Sequence, residues 1–155
     1  MFALRLVRLI EDHADQLSVN LVKRIKALEA CDELLARVPE TELQQRSFEI
    51  YRHVTDWLTT KSESEVEERY VGLGARRAQQ DVPFSQMLLA IEIIKENLWD
   101  FLRQEELFEP QELLGEFDLL LSLDRFFDRI SYFAAVGYEG ARARQLAHAL
   151  ATHSA

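Results

Sequence analysis

The side chains best suited to chemistry in this 155-residue chain are few and scattered. There are four histidines, His13, His53, His148 and His153, and one cysteine, Cys31. His53 follows Glu49 by four residues and precedes Asp56 by three, so on a helix the three share a face and read as a surface ion pair. A di-iron centre in a helical bundle needs Glu-x-x-His pairs on two helices and two further carboxylates, and no such set is present. The residues around His53, FEIYRHVTDW, match neither a kinase histidine box nor a phosphotransfer motif. His13 lies between Ile10 and Leu17 on an apolar stripe, which suits a hydrogen-bonded histidine at the edge of a core. Serving as a haem ligand, His13 or His53 would need an apolar pocket around it. Cys31 is flanked by Asp32 and Glu33, whose charge disfavours the thiolate a nucleophile requires. Gly72-x-Gly74 follows no strand, so it is no nucleotide-binding fingerprint. It reads as close helix packing or a slight bend. No catalytic residue, resident metal or cofactor is therefore expected, and the chain is not expected to be an enzyme.

Composition narrows the partners. The net charge is −9. Phosphate backbones are bound by clustered Lys and Arg, and no basic run here exceeds Arg76-Arg77. Nucleic acid and anionic membrane surfaces are thus disfavoured. A lone cysteine permits no internal disulfide, which fits a reducing cytoplasm. Arg5, Arg8, Glu11 and Asp12 interrupt the N-terminus too early for a signal peptide. No segment has the ~18 uncharged apolar residues of a membrane span.

Helical periodicity dominates. Phe2, Leu6, Leu9, Ile10, Leu17, Leu21, Ile25 and Leu28 form one stripe, so residues 2–29 are one long helix or two with a kink. In CDELLARVPE, Asp32 is placed to cap a single turn that Pro39 ends. A helix from near Thr41 buries Leu43, Phe48, Tyr51, Val54, Trp57 and Leu58, and Thr59-Thr60 end it. Ser62 or Ser64 caps the next one, whose glutamates lie early and whose Arg76-Arg77 lie late, complementing the helix dipole. Asp81-Val82-Pro83 stop and restart the chain. Phe84, Met87, Ile91, Ile94, Leu98 and Phe101 then repeat at 3-4 spacing, the seam of a core or of a dimer. Leu88, Leu89, Ile93, Trp99 and Leu102 widen that stripe, so this helix should lie centrally or at a subunit interface. Pro110 opens a final long helix, which Gly137 and Gly140 weaken before an Ala-rich end.

The run GARRAQQDVPFSQMLLAIEIIKENLWDFL, residues 74–102, resembles the signature stretch of the RsbRD N-terminal domain family, the helical input domain of RsbR-type stressosome co-antagonists. Similar domains precede kinase and other output modules in bacterial sensors. LIEDHADQL, residues 9–17, resembles the family's start, and YFAAVGYE, residues 132–139, resembles its end. Arg77, Gln80, Asp81 and Pro83 fall on the family's turn motif, where they serve a turn or a signalling role. Asp81 stands where the family usually has Gly, so a left-handed backbone is expected there. The family offers no agreed catalytic residues to carry over.

The expected fold is all-α: a single antiparallel bundle of about five to six helices over residues 1–155, with globin-like packing as the alternative and 138–155 as an output-linking helix or tail. The expected function is a non-catalytic sensory or regulatory input domain of bacterial signal transduction and stress response. It would pass its signal to a kinase-type or stressosome-type output, as a cytoplasmic homodimer with a protein partner or fused output module. The alternatives are a haem- or small-ligand-binding helical sensor and, third, a histidine phosphotransfer bundle.

Overall fold

A computed structural model of the chain describes the backbone of residues 2–60, 62–105 and 110–153, and the side chains of these except 2–4, 60 and 110–116. Within them lie seven α-helices and no strand: α1 (Phe2–Asp12), α2 (Ala14–Lys26), α3 (Asp32–Arg37), α4 (Glu40–Arg52), α5 (Glu63–Gln79), α6 (Phe84–Gln104) and α7 (Pro110–His153). A 3-10 turn (Glu29–Cys31) precedes α3, and a π turn (Asp56–Thr60) precedes α5.

The opening stripe is divided at His13, whose φ and ψ of −104° and 15° leave the helical region. Its Nδ1 lies 2.9 Å from the Leu9 carbonyl, and its ring leans on Phe101 at 5.2 Å. This is the core-edge histidine its position suggested. Leu6, Ile10, Leu17, Leu21 and Ile25 are buried, but Leu28 is exposed at the end of the stripe. The side chain of Phe2 lies outside the described residues. Asp32 begins α3 rather than capping it, and Pro39 stands between α3 and α4. α4 ends at Arg52, short of Thr59-Thr60, because His53 breaks it and the chain continues as the π turn. Ser62 caps α5 in a capping box. Its hydroxyl accepts the Glu65 amide, and the Glu65 carboxylate accepts the Ser62 amide.

α4 runs antiparallel to α1–α2 and to α5, and α6 to α7, whereas α5 and α7 run parallel, Glu63 meeting Arg129 and Asp81 meeting Arg142. Lys26 meets Glu40 and Glu11 meets Arg52 between α1–α2 and α4. Glu42 meets Arg76 and Glu49 meets Arg69 between α4 and α5. Phe84 touches Tyr138 and Lys95 meets Asp124 between α6 and α7. α6 is central, as its apolar breadth implied: Met87, Ala90, Ile91, Ile93, Leu98 and Leu102 are buried. Phe84, Ile94 and Phe101 are half-buried against the same core. No helix among the described residues is long and apolar enough to cross a membrane.

The closest approach is between α5 and α7. A Cβ at Gly74 would lie 1.9 Å from the Ala134 carbonyl oxygen, and one at Gly137 would lie 1.9 Å from that of Val71. The two backbones touch, which only glycine permits. Gly137 is therefore no weak point, and α7 runs unbroken through both it and Gly140 to His153. Gly72 differs: nothing lies within 4 Å of its absent Cβ.

Gly137→Ala should accordingly destabilise the domain by about 1–3 kcal/mol or more, the cost of overpacking, whereas Gly72→Ala should stabilise it by about 0.5–1 kcal/mol. Urea unfolding of both variants checks the pair, and equal effects would contradict the contact. In the same assay Ile91→Ala should cost about 2–5 kcal/mol, as for a buried aliphatic truncation.

Candidate functional site

The turn between α5 and α6 is a Schellman motif. The Val82 amide donates to the Arg77 carbonyl and the Asp81 amide to the Ala78 carbonyl, both at 3.0 Å. Asp81 is the left-handed residue, at φ 59°, as the glycine of the resembling motif implied. Among the described residues it is the one non-glycine with a positive φ. Val82 is fully buried beneath the turn, the apolar contact this motif favours. Pro83 then fixes the entry into α6, its carbonyl accepting the amides of Gln86 and Met87.

Two of the motif residues build a buried polar cluster. Arg77 is 5% exposed, and an unpaired charge there would be costly. Its Nη1 donates to Glu42 Oε2 at 2.5 Å and to Gln80 Oε1 at 2.8 Å. Gln80 Nε2 closes the triangle by donating to the same Glu42 oxygen at 3.0 Å. Arg76 binds the other Glu42 oxygen from the solvent side. Burial by itself would raise the Glu42 carboxyl. The hydrogen bonds from Arg76, Gln80 and Arg77, with the charge of Arg77, outweigh it and hold the group down at about 2. Burial acts oppositely on the cation, depressing Arg77, while Glu42 supports its charge.

The other side of the turn is tied to α7. Tyr138 Oη donates to the Val82 carbonyl at 2.7 Å. Arg142 lies over the Tyr138 ring at 5.3 Å and reaches Asp81 Oδ1 at 3.1 Å. The motif therefore joins α4, α5, α6 and α7 at one point, and Arg77, Gln80, Asp81 and Pro83 all belong to it. Sequence reasoning missed Glu42, Tyr138 and Arg142. The signal for Glu42 was indirect, since a buried arginine needs an anion, but nothing in the sequence selects one 35 residues away.

A second buried polar cluster was also missed. Asn97 of α6 is 1% exposed. It accepts from Asn20 Nδ2 at 2.8 Å and donates to the Leu17 carbonyl at 3.0 Å. Tyr51 Oη donates to the Ile94 carbonyl at 2.8 Å beside it. This cluster pins α2, α4 and α6 together and borders an open cleft of about 790 Å³ lined by Asp15, Lys23, Arg24 and Asp100.

The remaining candidates are dispersed. His53 is exposed, 3.6 Å from Asp56, in the ion pair its spacing suggested. His148 and His153 are exposed on the last turns of α7. Cys31 is buried, and burial together with Asp32 pushes its thiol up. Among the described residues no three His, Cys, Asp or Glu side chains group as metal ligands.

The Glu42 cluster sets an acid limb. A carboxyl depressed in the folded state stabilises above its unfolded value near 4.5, and the benefit is lost as pH falls through about 2. That shift corresponds to about 3 kcal/mol. Glu42→Gln should lose about this much at neutral pH and should flatten the dependence of stability on pH between about 4.5 and 2. Denaturant midpoints measured across that range check it, and an unchanged acid limb would show that Glu42 does not carry it.

Comparison with known proteins bears on all of this. No curated protein and no solved structure matches the chain. The family described as RsbT co-antagonist protein rsbRD N-terminal domain matches residues 6–152, nearly the whole length. That is a family of regulatory rather than catalytic domains. The turn motif, the buried arginine cluster and all but the last residue of the long closing helix lie inside the matched span, and the chain belongs to the rsbRD N-terminal domain family.

Proposed function

We propose that the domain is a non-catalytic input module that acts as a homodimer and passes its signal through α7 to a protein partner or fused output module, of stressosome or kinase type. One observation carries the reading: α7 has two apolar faces, and the core uses only one. Its inner face supplies Leu123, Phe126, Phe127, Ile130, Phe133, Ala134, Tyr138 and Ala141 to the core. Its outer face exposes Phe117, Leu121, Tyr132, Val136, Leu146 and Leu150. Tyr132 and Leu146 are two heptads apart, as are Val136 and Leu150, the register of a helix–helix seam. With 44 residues, α7 is ~66 Å long. Beyond Ala141 the described side chains of α7 are no longer buried, which supports an output-linking role for residues 138–155.

The apolar width of α6 is largely accounted for inside the protomer, which leaves α7 as the face for a second copy. A patch that self-matches under a two-fold axis is the commonest way to make a dimer. A change in packing around the turn motif would reach α7 directly, because Tyr138 and Arg142 tie that helix to the turn.

Light scattering over a micromolar dilution series should give twice the chain mass of 18.0 kDa. Tyr132→Glu with Leu146→Glu should return the protein to the monomer mass with its circular dichroism unchanged. A constant monomer mass for the unaltered protein would overturn the dimer.

A further inference from the structure

Residue 81 sits at φ 59°, where glycine is free of steric penalty and any other residue is not. Asp81 accepts that penalty, yet its carboxylate does not build the turn. The hydrogen bonds of the turn come from main-chain atoms, the Asp81 and Val82 amides and the Ala78 and Arg77 carbonyls. The side chain reaches instead to α7, 61 residues on, where Asp81 Oδ1 accepts from Arg142 Nη1 at 3.1 Å. Backbone geometry thus calls for glycine, and the contact with α7 is what an aspartate adds.

That contact falls where α7 leaves the core. Ala141 is the last buried residue of the helix among those described. Beyond it only Arg142 and Gln145 are half-buried, and both turn toward the end of α5. Arg142 also meets the Tyr138 hydroxyl and Gln145 Oε1, each at 3.1 Å. Gln145 Nε2 approaches the Ala78 carbonyl at 3.5 Å. Leu146 and Leu150 are 63% and 61% exposed, so apolar burial within the protomer does not hold this segment down. Gly140 stands just before the junction. A Cβ there would meet only Arg144 Nη1 of the same helix, at an ordinary 3.5 Å, so packing does not require glycine, and glycine inside a helix weakens it locally.

We propose that Asp81 and Arg142 form a latch. Closed, it holds residues 142–153 of α7 against the α5–α6 turn; open, it lets that segment bend or unwind at Gly140. An ion pair between partly exposed side chains is weak and screened by salt, which suits a joint that opens and closes rather than one that fixes the fold. The latch is a property of the domain itself, while its use in gating an output rests on the reading of α7 as the output-linking helix.

Hydrogen exchange of the chain, read by mass spectrometry over residues 142–153 with 123–138 as the internal reference, tests this. Asp81→Gly and Arg142→Gln should each speed exchange of 142–153 about threefold or more and leave 123–138 unchanged. The double variant should be no faster than the faster single one, as expected of two halves of one contact. Asp81→Gly separates a latch from general weakening, because it relieves the backbone: urea unfolding should show global stability retained while the tail exchanges faster. Gly140→Ala should slow exchange of 142–153 about fivefold. Raising salt from about 0.01 to about 1 M, which cuts the screening length from ~30 to ~3 Å, should speed the tail of the unaltered protein but not that of Asp81→Gly. An unchanged tail in Asp81→Gly would overturn the proposal, as would additive effects in the double variant or no slowing by Gly140→Ala. The series is repeated in the Tyr132→Glu, Leu146→Glu background, where no second copy covers the tail. Light scattering on the same samples reports the dimer separately, so loss of the dimer leaves the latch standing, and an unresponsive tail leaves the dimer standing.

Discussion

The contact of two backbones at Gly74 and Gly137 is the constraint on which the rest of this domain depends. Because α5 and α7 touch without intervening side chains, their separation is set by main-chain atoms and cannot relax. Ala134, Ala78 and Ala141, all buried, extend the close approach in both directions. Large apolar side chains are displaced to the flanks, where Tyr70, Trp57 and Phe126 form an aromatic cluster. Close packing makes such a crossing stiff, since interiors at this density transmit displacement rather than absorb it. The long helix that reaches beyond the core is thus rigidly coupled to the helix that carries the turn motif.

The turn motif acts as a junction because its polar groups are spent within the protein. Arg77 and Gln80 fold back onto Glu42 of α4, and Asp81 faces Arg142 of α7. A buried ion pair is weak evidence of net stability, but removing one partner is severe, so the cluster defines one arrangement of four helices sharply. The Asn97 cluster does the same for α2, α4 and α6. The domain therefore combines two fixed polar joints, one around Arg77 and one around Asn97. Its membership of a regulatory family agrees with that physics.

Much of this architecture was legible in the residues themselves. Apolar spacing marked every long helix, because burial of one face at a 3.6-residue period is a local property of the chain. The capping serine at Ser62, the left-handed Asp81 and the start of α7 at Pro110 were legible for the same reason, since each answers to the conformational limits of one or two residues. The breadth of the apolar arc on α6 also announced a central helix. The motif of Arg77, Gln80, Asp81 and Pro83 could be located, though not its purpose.

What only the tertiary structure decided is partnership between distant segments. The sequence carries no mark that Arg77 will find Glu42, that Tyr138 will reach the Val82 carbonyl, or that Asn97 will be enclosed by α2 and α4. Those pairings depend on which helices become neighbours, and a stripe of Leu, Ile and Phe is satisfied by many neighbours. The two glycines separated by one residue show the difference most plainly. By type and position Gly72 and Gly74 are alike, yet Gly74 lies against another backbone and Gly72 faces open space. Hydrophobic periodicity determines that a helix will bury a face, because burial is non-directional. Hydrogen bonds and backbone contacts require specific distances and angles, and those exist only once the helices have been placed.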